Sequence, residues 1–228
     1  MSPPAADPRQ RLARQAGAWY LALALVAPLG LVVVPGRLAG VDDPAALAGL
    51  VREQAHWLRA GLASELLYQL IEVPLVLTLY ALFADQHRGQ ARLMAVLGLL
   101  PIPIVFVSML GEVAALQLQS NAAWLAAWSN EQRHTLTQLG LKLHHQGLAL
   151  AMPFWGLWLL PLGSLLTRSG LVWRWVGPAL WVAGSAYVLD AALRLLWPAL
   201  QPAWAGALAA GQAAELAVIA GLLMARPR

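Results

Sequence analysis

LASELLYQLIEVPLVLTLYALF, residues 62–83, decides the fold. The stretch is dominated by Leu, Val, Ile, Ala and aromatic residues, and at about 1.5 Å per residue it is as long as the hydrocarbon core of a bilayer is thick. Two acids, Glu65 and Glu72, sit inside it, one at each end of a seven-residue step. A soluble core helix would be shorter and would carry a polar face, so this segment reads as a transmembrane helix with polar groups turned toward other helices.

Working outward, five more segments satisfy the same requirement of roughly 20 mostly apolar residues. They are residues 16–34, 93–116, 141–166, 171–197 and 203–224. The fold class is therefore all-α, a polytopic integral membrane bundle of six transmembrane helices in one domain, residues 1–228. Composition agrees. Hydrophobic residues make up 60% of the chain and charged residues 11%, against about 25% charged in a soluble domain.

Charge placement predicts orientation. With the N-terminus inside, the inner segments hold Arg9, Arg11, Arg14, Arg88, Arg92, Arg168, Arg174, Arg226 and Arg228. The outer segments hold Arg37, Arg52, Arg59 and Arg133, with Lys142 and Arg194 at helix edges. The excess of basic residues marks the cytoplasmic side, giving an N-in, C-in topology. The first apolar run, at about 19 residues, is longer than a secretory h-region, and Ala46-Leu47-Ala48 is a distant cleavage site, so the run reads as an uncleaved anchor. Arg outnumbers Lys fourteen to one, which points to a GC-rich, bacterial source and so to the bacterial cytoplasmic (inner) membrane.

Composition also excludes classes. The chain has no Cys, so it has no disulfide, thiolate nucleophile or cysteine metal site. Its net charge of +4 comes from Arg in short loops and tails, which suits an anionic membrane surface and not a nucleic-acid face. The glycines follow helical spacing, so no phosphate-cradling loop is present.

Two outer loops predict short amphipathic helices. Asp43-Pro44 reads as an N-cap with Pro at the first helical position. Leu47, Leu50, Val51, Trp57 and Leu58 then form an apolar stripe, predicting an interfacial helix over residues 44–60. Ser129 with Gln132 is a capping-box pattern ahead of the fourth span, and Trp124 and Trp128 suit an outer aromatic belt. Gly156, Gly163, Gly177 and Gly184 recur at seven-residue steps, a stripe that lets helix backbones approach closely in lipid. Gly170 reads as the end of the fourth span.

The stretch HHQGLALAMPFWGLWLLPLGSLLTRSGLVWRWVGPALWVAGSAYVLD, residues 144–190, resembles the bacterial membrane proteins of the domain-of-unknown-function 4386 family. Leu143-His144, the FxGLWLLPLG run from Phe154 to Gly163, Arg168-Ser169-Gly170, and Tyr187 to Asp190 carry the likeness. Residues 124–132 (WLAAWSNEQ) and Glu215 are similar as well. The sequence departs at His145-Gln146, where the family often has Asn-Tyr, and at Arg194. The resemblance implies a six-span bundle and no established activity, and it favours His144 over His145 as the inward-facing imidazole.

A charge at the bilayer centre costs at least about 2.5 to 3.5 kcal/mol, so each ionisable group within a span needs a reason to be there. Glu65, Glu72, Glu112, Lys142, His144, His145, Asp190, Arg194 and Glu215 are those groups. Glu65 and His144 fall in the first turn or so of their spans. Glu72 and Glu215 fall about 15 to 18 Å down, and Glu112, Asp190 and Arg194 in the outer thirds. All lie in the outer half or at the midplane, which predicts a polar pocket opening outward above an apolar inner half. Spacing gives each helix one polar face: Glu65, Tyr68 and Glu72; Ser108 and Glu112; Tyr187, Asp190 and Arg194; Gln212 and Glu215.

Five carboxylates in this set face two fixed cations and two imidazoles. Asp190 can pair with Arg194 at i, i+4. The remaining acids need a proton, His144 or a bound cation. The ligand- or ion-binding candidates are therefore Glu72, His144, Asp190, Glu215, Glu112, Arg194 and Tyr187, around a pocket for a cation, a proton or a small polar ligand. The plainer reading makes the deep acids interhelical hydrogen-bond partners and leaves Glu65, Lys142, His145 and Arg194 solvated at the interface. An intramembrane metal-dependent enzyme with His144, Asp190 and Glu215 as ligands is an alternative, although no HExxH is present. So is an assembly partner of another membrane protein. No resident cofactor is expected beyond a bound cation, and lipid is the one certain partner.

Overall fold

The computed structural model describes residues 7–225. Arg226 and Arg228, counted above on the inner side, lie outside the described residues. Those residues are almost wholly helical, with no strand among them. Six helices are long and apolar enough to cross a membrane. The first comprises α1 (Pro8–Pro28), a π-helical stretch (Leu29–Val33) and α2 (Val34–Leu38). A short helix α3 (Pro44–Glu53) precedes the second, α4 (Ala55–Phe83). The third is α5 (Arg88–Leu99) with α6 (Pro101–Leu118); a 3-10 turn, Ala123–Ala127, leads to the fourth, α7 (Asn130–Leu157) with α8 (Leu159–Ser169). The fifth is α9 (Val176–Leu196), and the sixth is α10 (Gln201–Ala213) with α11 (Leu216–Leu223).

The side chains are distributed as lipid requires. Ser64, Glu65, Gln69, Glu72, Ser108, Glu112, Thr137, His144 and Asp190 are buried, while Leu25, Val32, Val107, Leu110 and Leu196 are each more than 60% exposed. In hydrocarbon, outward-facing Leu and Val carry no penalty and unsatisfied polar groups do.

Local chemistry explains the helix ends. Asp43 accepts from Ala46 N at 2.7 Å and Pro44 follows it, so α3 starts where the sequence predicts. It stops at Glu53, however, and a break at Gln54 separates it from α4, so the expected helix over residues 44–60 is two helices. The capping box forms in both directions: Ser129 N donates to Gln132 Oε1 at 2.9 Å, and Gln132 N donates to Ser129 Oγ at 3.2 Å. Arg133 donates to the carbonyls of Leu118 and Ser120, closing the end of α6. Gly170 adopts φ 67°, a left-handed C-cap that ends α8. The fifth span begins at Val176, five residues later than the apolar pattern suggests, because Leu171 to Trp175 turn after that cap. Pro161 has no N–H and its ring crowds the carbonyl of residue 157, which is where α7 gives way to α8.

The chain divides into two compact units. One takes Met1–Leu23, Leu70–Pro101 and Ala149–Arg228; the other takes Ala24–Gln69 and Ile102–Leu148. In the first, the glycine stripe packs as the sequence predicts. A Cβ on Gly184 would lie 2.6 Å from the Gly156 carbonyl oxygen, and one on Gly163 would lie 2.7 Å from that of Gly177. These are backbone-to-backbone contacts that no larger residue permits. Tyr20 stacks on Trp158 with ring centroids 5.9 Å apart, and Gln10 donates to the Ala225 carbonyl, tying α1 to the residues that follow α11.

In the second unit, Gly111 and Gly140 bring α6 and α7 together backbone to backbone, and Gly147 packs on Ser108. Val34, Val51 and Leu58 form its apolar cluster, with Leu29, Leu38, Trp57, Leu116 and Leu141 around it. Its first helix opens at one place: the Ser64 hydroxyl donates to the Val26 carbonyl at 2.7 Å and accepts from Gly30 N at 3.2 Å. An α-helix would join those two backbone groups directly. Inserting a hydroxyl between them widens the turn into the π-helical stretch.

The glycine contacts give a direct expectation. Gly184→Val lowers the stability of the detergent-purified protein by about 1 to 3 kcal/mol, the usual cost of overpacking. Gly49→Ala, at a helical position where an added Cβ meets nothing, leaves it unchanged or raises it by up to about 1 kcal/mol. Thermal unfolding followed by tryptophan fluorescence measures both.

Candidate functional site

Three helices each supply one side chain, all three residues in the second unit, to a buried centre. Glu65 comes from α4, Glu112 from α6 and His144 from α7, and all three are less than 7% exposed. His144 Nε2 lies 3.2 Å from Glu65 Oε1 and 3.9 Å from Glu112 Oε2. One donor atom from each residue falls within 4.8 Å of the other two, so these three could hold a metal ion.

The backbone around the centre explains its placement. His144 Nδ1 lies 3.2 Å from the Ser108 carbonyl oxygen, which can only accept, so Nδ1 carries the proton and Nε2 is the atom turned to the acids. The glycine contacts between α6 and α7 set that distance, since an added Cβ on Gly111 would lie 3.0 Å from His144 N. On the other side, an added Cβ on Gly30 would lie 2.7 Å from Glu65 Cγ, so only glycine leaves room for this carboxylate. The Ser64 insertion therefore opens the first helix beside Glu65. Two polar features are left over. Glu65 Oε2 is buried without a hydrogen-bond partner, and one turn along α4 so are both amide atoms of Gln69. Buried polar atoms without partners are rare and call for a reason.

The first unit gathers a different set. The Tyr20 hydroxyl donates to Glu215 Oε1, and Tyr187 interacts with the same carboxylate. Glu72 lies near enough to Glu215 for their charges to interact, and its Oε2 is buried without a hydrogen-bond partner. Glu215 stands at the interruption between α10 and α11, where the backbone tightens to i→i+3 bonds from Ala214 to Gly211 and from Glu215 to Gln212.

Asp190 differs from both. It accepts from Arg194 Nε at 3.0 Å and Nη2 at 3.4 Å, from Gln201 at 3.0 Å and from Gln212 at 3.1 Å. Its acceptor sites are filled by side chains of α9 and α10, so it works as a staple between the fifth and sixth spans. Asp190→Asn should therefore lower stability by about 1 to 2 kcal/mol, in line with interhelical polar contacts in membranes, as measured by unfolding in mixed micelles.

Each sequence candidate can now be located. Glu112 and His144 join in the second unit; Glu72, Tyr187 and Glu215 join in the first, where Asp190 and Arg194 pair. Of the metal-ligand set expected from sequence, His144, Asp190 and Glu215, only His144 belongs to the group whose donors converge. His144 is buried, and Lys142 and His145 are exposed. Two residues were missed. Glu65 falls near the start of the apolar run and so reads as interfacial, yet α4 begins at Ala55, which puts this residue in its third turn and buries it. Tyr20 has no ionisable neighbour at three or four residues, so helical spacing gives it no signal.

No curated protein and no solved structure matches the sequence. The family described as Domain of unknown function (DUF4386) matches residues 15–225, a range that includes all the residues of both clusters. The chain belongs to this domain-of-unknown-function 4386 family.

Proposed function

We propose that this protein binds a cation within its membrane-embedded acids, with Glu65, Glu112 and His144 as the binding centre. The observation that carries the reading is the facing of His144 Nε2 and Glu65 Oε1 at 3.2 Å while Nδ1 is committed to the Ser108 carbonyl. A neutral imidazole in that tautomer turns a lone pair on a carboxylate lone pair. Removing the repulsion takes a positive charge between the two atoms, either a proton or a metal ion. Lipid sharpens the requirement, because two carboxylates without a counter-charge are costly there. In this reading the chain is a multi-pass protein of the bacterial inner membrane, N-in and C-in, and the centre is reached from the outer side.

A second reading rests on Glu72 and Glu215. Their charges interact, one oxygen of Glu72 lacks a partner, and Glu215 sits at a helix interruption, the kind of backbone feature that holds ions and protons in transporters. This cluster would carry a proton or a small polar ligand. Catalysis has less support: three protein ligands would leave a metal position open, but no nucleophile or base beyond the ligands stands out.

The test is cation-linked stability. A ligand at a hundredfold excess over its Kd stabilises the folded state by about 2.7 kcal/mol. Unfolding of the purified protein, followed across mono- and divalent cations and across pH, should show such a gain for at least one cation or on protonation. His144→Gln and Glu65→Gln should remove it, and Asp190→Asn should lower the baseline but keep the gain. A wild-type protein indifferent to every cation and to pH would end the proposal.

A further inference from the structure

We infer that the occupant of the Glu65–Glu112–His144 centre is a divalent transition-metal ion of the zinc, manganese or iron class. The inference rests on the cation-binding reading and names its ligand.

Four observations converge. First, the donor set is one imidazole and two carboxylates. Calcium takes six to eight oxygens and magnesium keeps most of its waters, so neither needs a nitrogen donor, whereas imidazole suits zinc, iron and manganese. Soft monovalent copper is disfavoured, because the three converging donors are nitrogen and oxygen and the chain has no Cys. Second, the two distances from the imidazole fit. Neighbouring ligands in a tetrahedral shell at about 2.1 Å are roughly 3.4 Å apart. His144 Nε2 lies 3.2 and 3.9 Å from its two carboxylate neighbours, on either side of that value.

Third, the outer contact is the one a metal-bound imidazole makes. Ligand histidines donate their other ring N–H to a carboxylate or a backbone carbonyl, which fixes tautomer and orientation, and His144 Nδ1 does so to Ser108. Fourth, the unpartnered atoms have a use. Glu65 Oε2, in a residue 1% exposed, is available as a second ligand oxygen or as an acceptor for a metal-bound water. A divalent ion with two carboxylates and a neutral imidazole also sums to zero charge, which is what a lipid-buried centre requires.

The experiment uses the full-length protein in detergent, stripped with chelator and then equilibrated with Zn2+ or Co2+. We expect about one ion per chain by elemental analysis, and a visible d–d absorption band for Co2+. X-ray absorption of the Zn2+ form should show one imidazole with oxygen scatterers and no sulfur. Glu65→Gln, Glu112→Gln and His144→Gln should each weaken binding at least tenfold, while His145→Gln binds like wild type. The absorption spectra need no variant, so a substitution that fails to fold does not void the test.

If wild type retains no ion and gives no cobalt band, the metal assignment is overturned. Should cation- or proton-linked stability still depend on Glu65 and His144 in that case, the broader reading stands and the occupant is a proton or an alkali ion. Loss of both overturns both. Binding that persists unchanged in all three ligand variants marks an adventitious ion only and overturns the assignment.

Discussion

A helix in hydrocarbon has no water to drive it against its neighbour, since lipid tails are as apolar as Leu, so close approach of backbones has to carry the packing. That constraint sets both units. Gly156 faces Gly184 and Gly163 faces Gly177 in one; Gly111 faces Gly140 in the other. The contact between Gly111 and Gly140 also has a chemical consequence. By bringing α6 onto α7 it places the Ser108 carbonyl against His144 Nδ1, which decides which imidazole nitrogen is left to the acids. Packing and electrostatics are therefore one problem here: the glycines that let the helices touch also fix the tautomer.

The same logic explains the opening in the first helix. A buried hydroxyl in lipid must find partners, and Ser64 finds them by splitting the bond between Gly30 N and the Val26 carbonyl. Both of those backbone groups keep a partner, so the distortion costs less than a broken helix would. What it gains is space, because the widened turn carries Gly30, and the missing Cβ there is what Glu65 occupies. π-type turns are frequent at functional sites for this kind of reason, re-aiming a side chain without breaking a span.

Much of this was legible in the sequence, and the part that was not has physical causes. Six spans follow from length and apolarity, and the glycine stripe, the Asp43 cap, the Ser129 capping box and the Gly170 stop follow from local chemistry that acts within one or two turns. His144 over His145 came from the family likeness. The partners of the buried groups did not come through. Helical spacing sorts residues onto faces, but it does not say which face of one helix meets which face of another. Hence the sequence suggests Asp190 and Glu215 beside His144, whereas its neighbours are Glu65 and Glu112. Glu65 is hidden for a second reason: the apolar run begins three residues before it, whereas α4 begins seven residues earlier than that run, at Ala55.

Intramembrane charge by itself does not separate structure from function; the state of the hydrogen bonds does. Asp190 is the counter-example within this chain. It is as deeply buried as Glu112 and as costly to place in lipid, yet Arg194, Gln201 and Gln212 meet it with four hydrogen bonds, and nothing is left for a ligand. Glu65 is more buried still, at 1% exposure, and has one oxygen 3.2 Å from His144 Nε2 and the other without a partner. A helix contact that served packing alone would have no use for that arrangement, because an apolar residue of similar size would pack there without the desolvation penalty. A carboxylate buried with one oxygen unpartnered, at the meeting of three helices, is explained if a cation completes it.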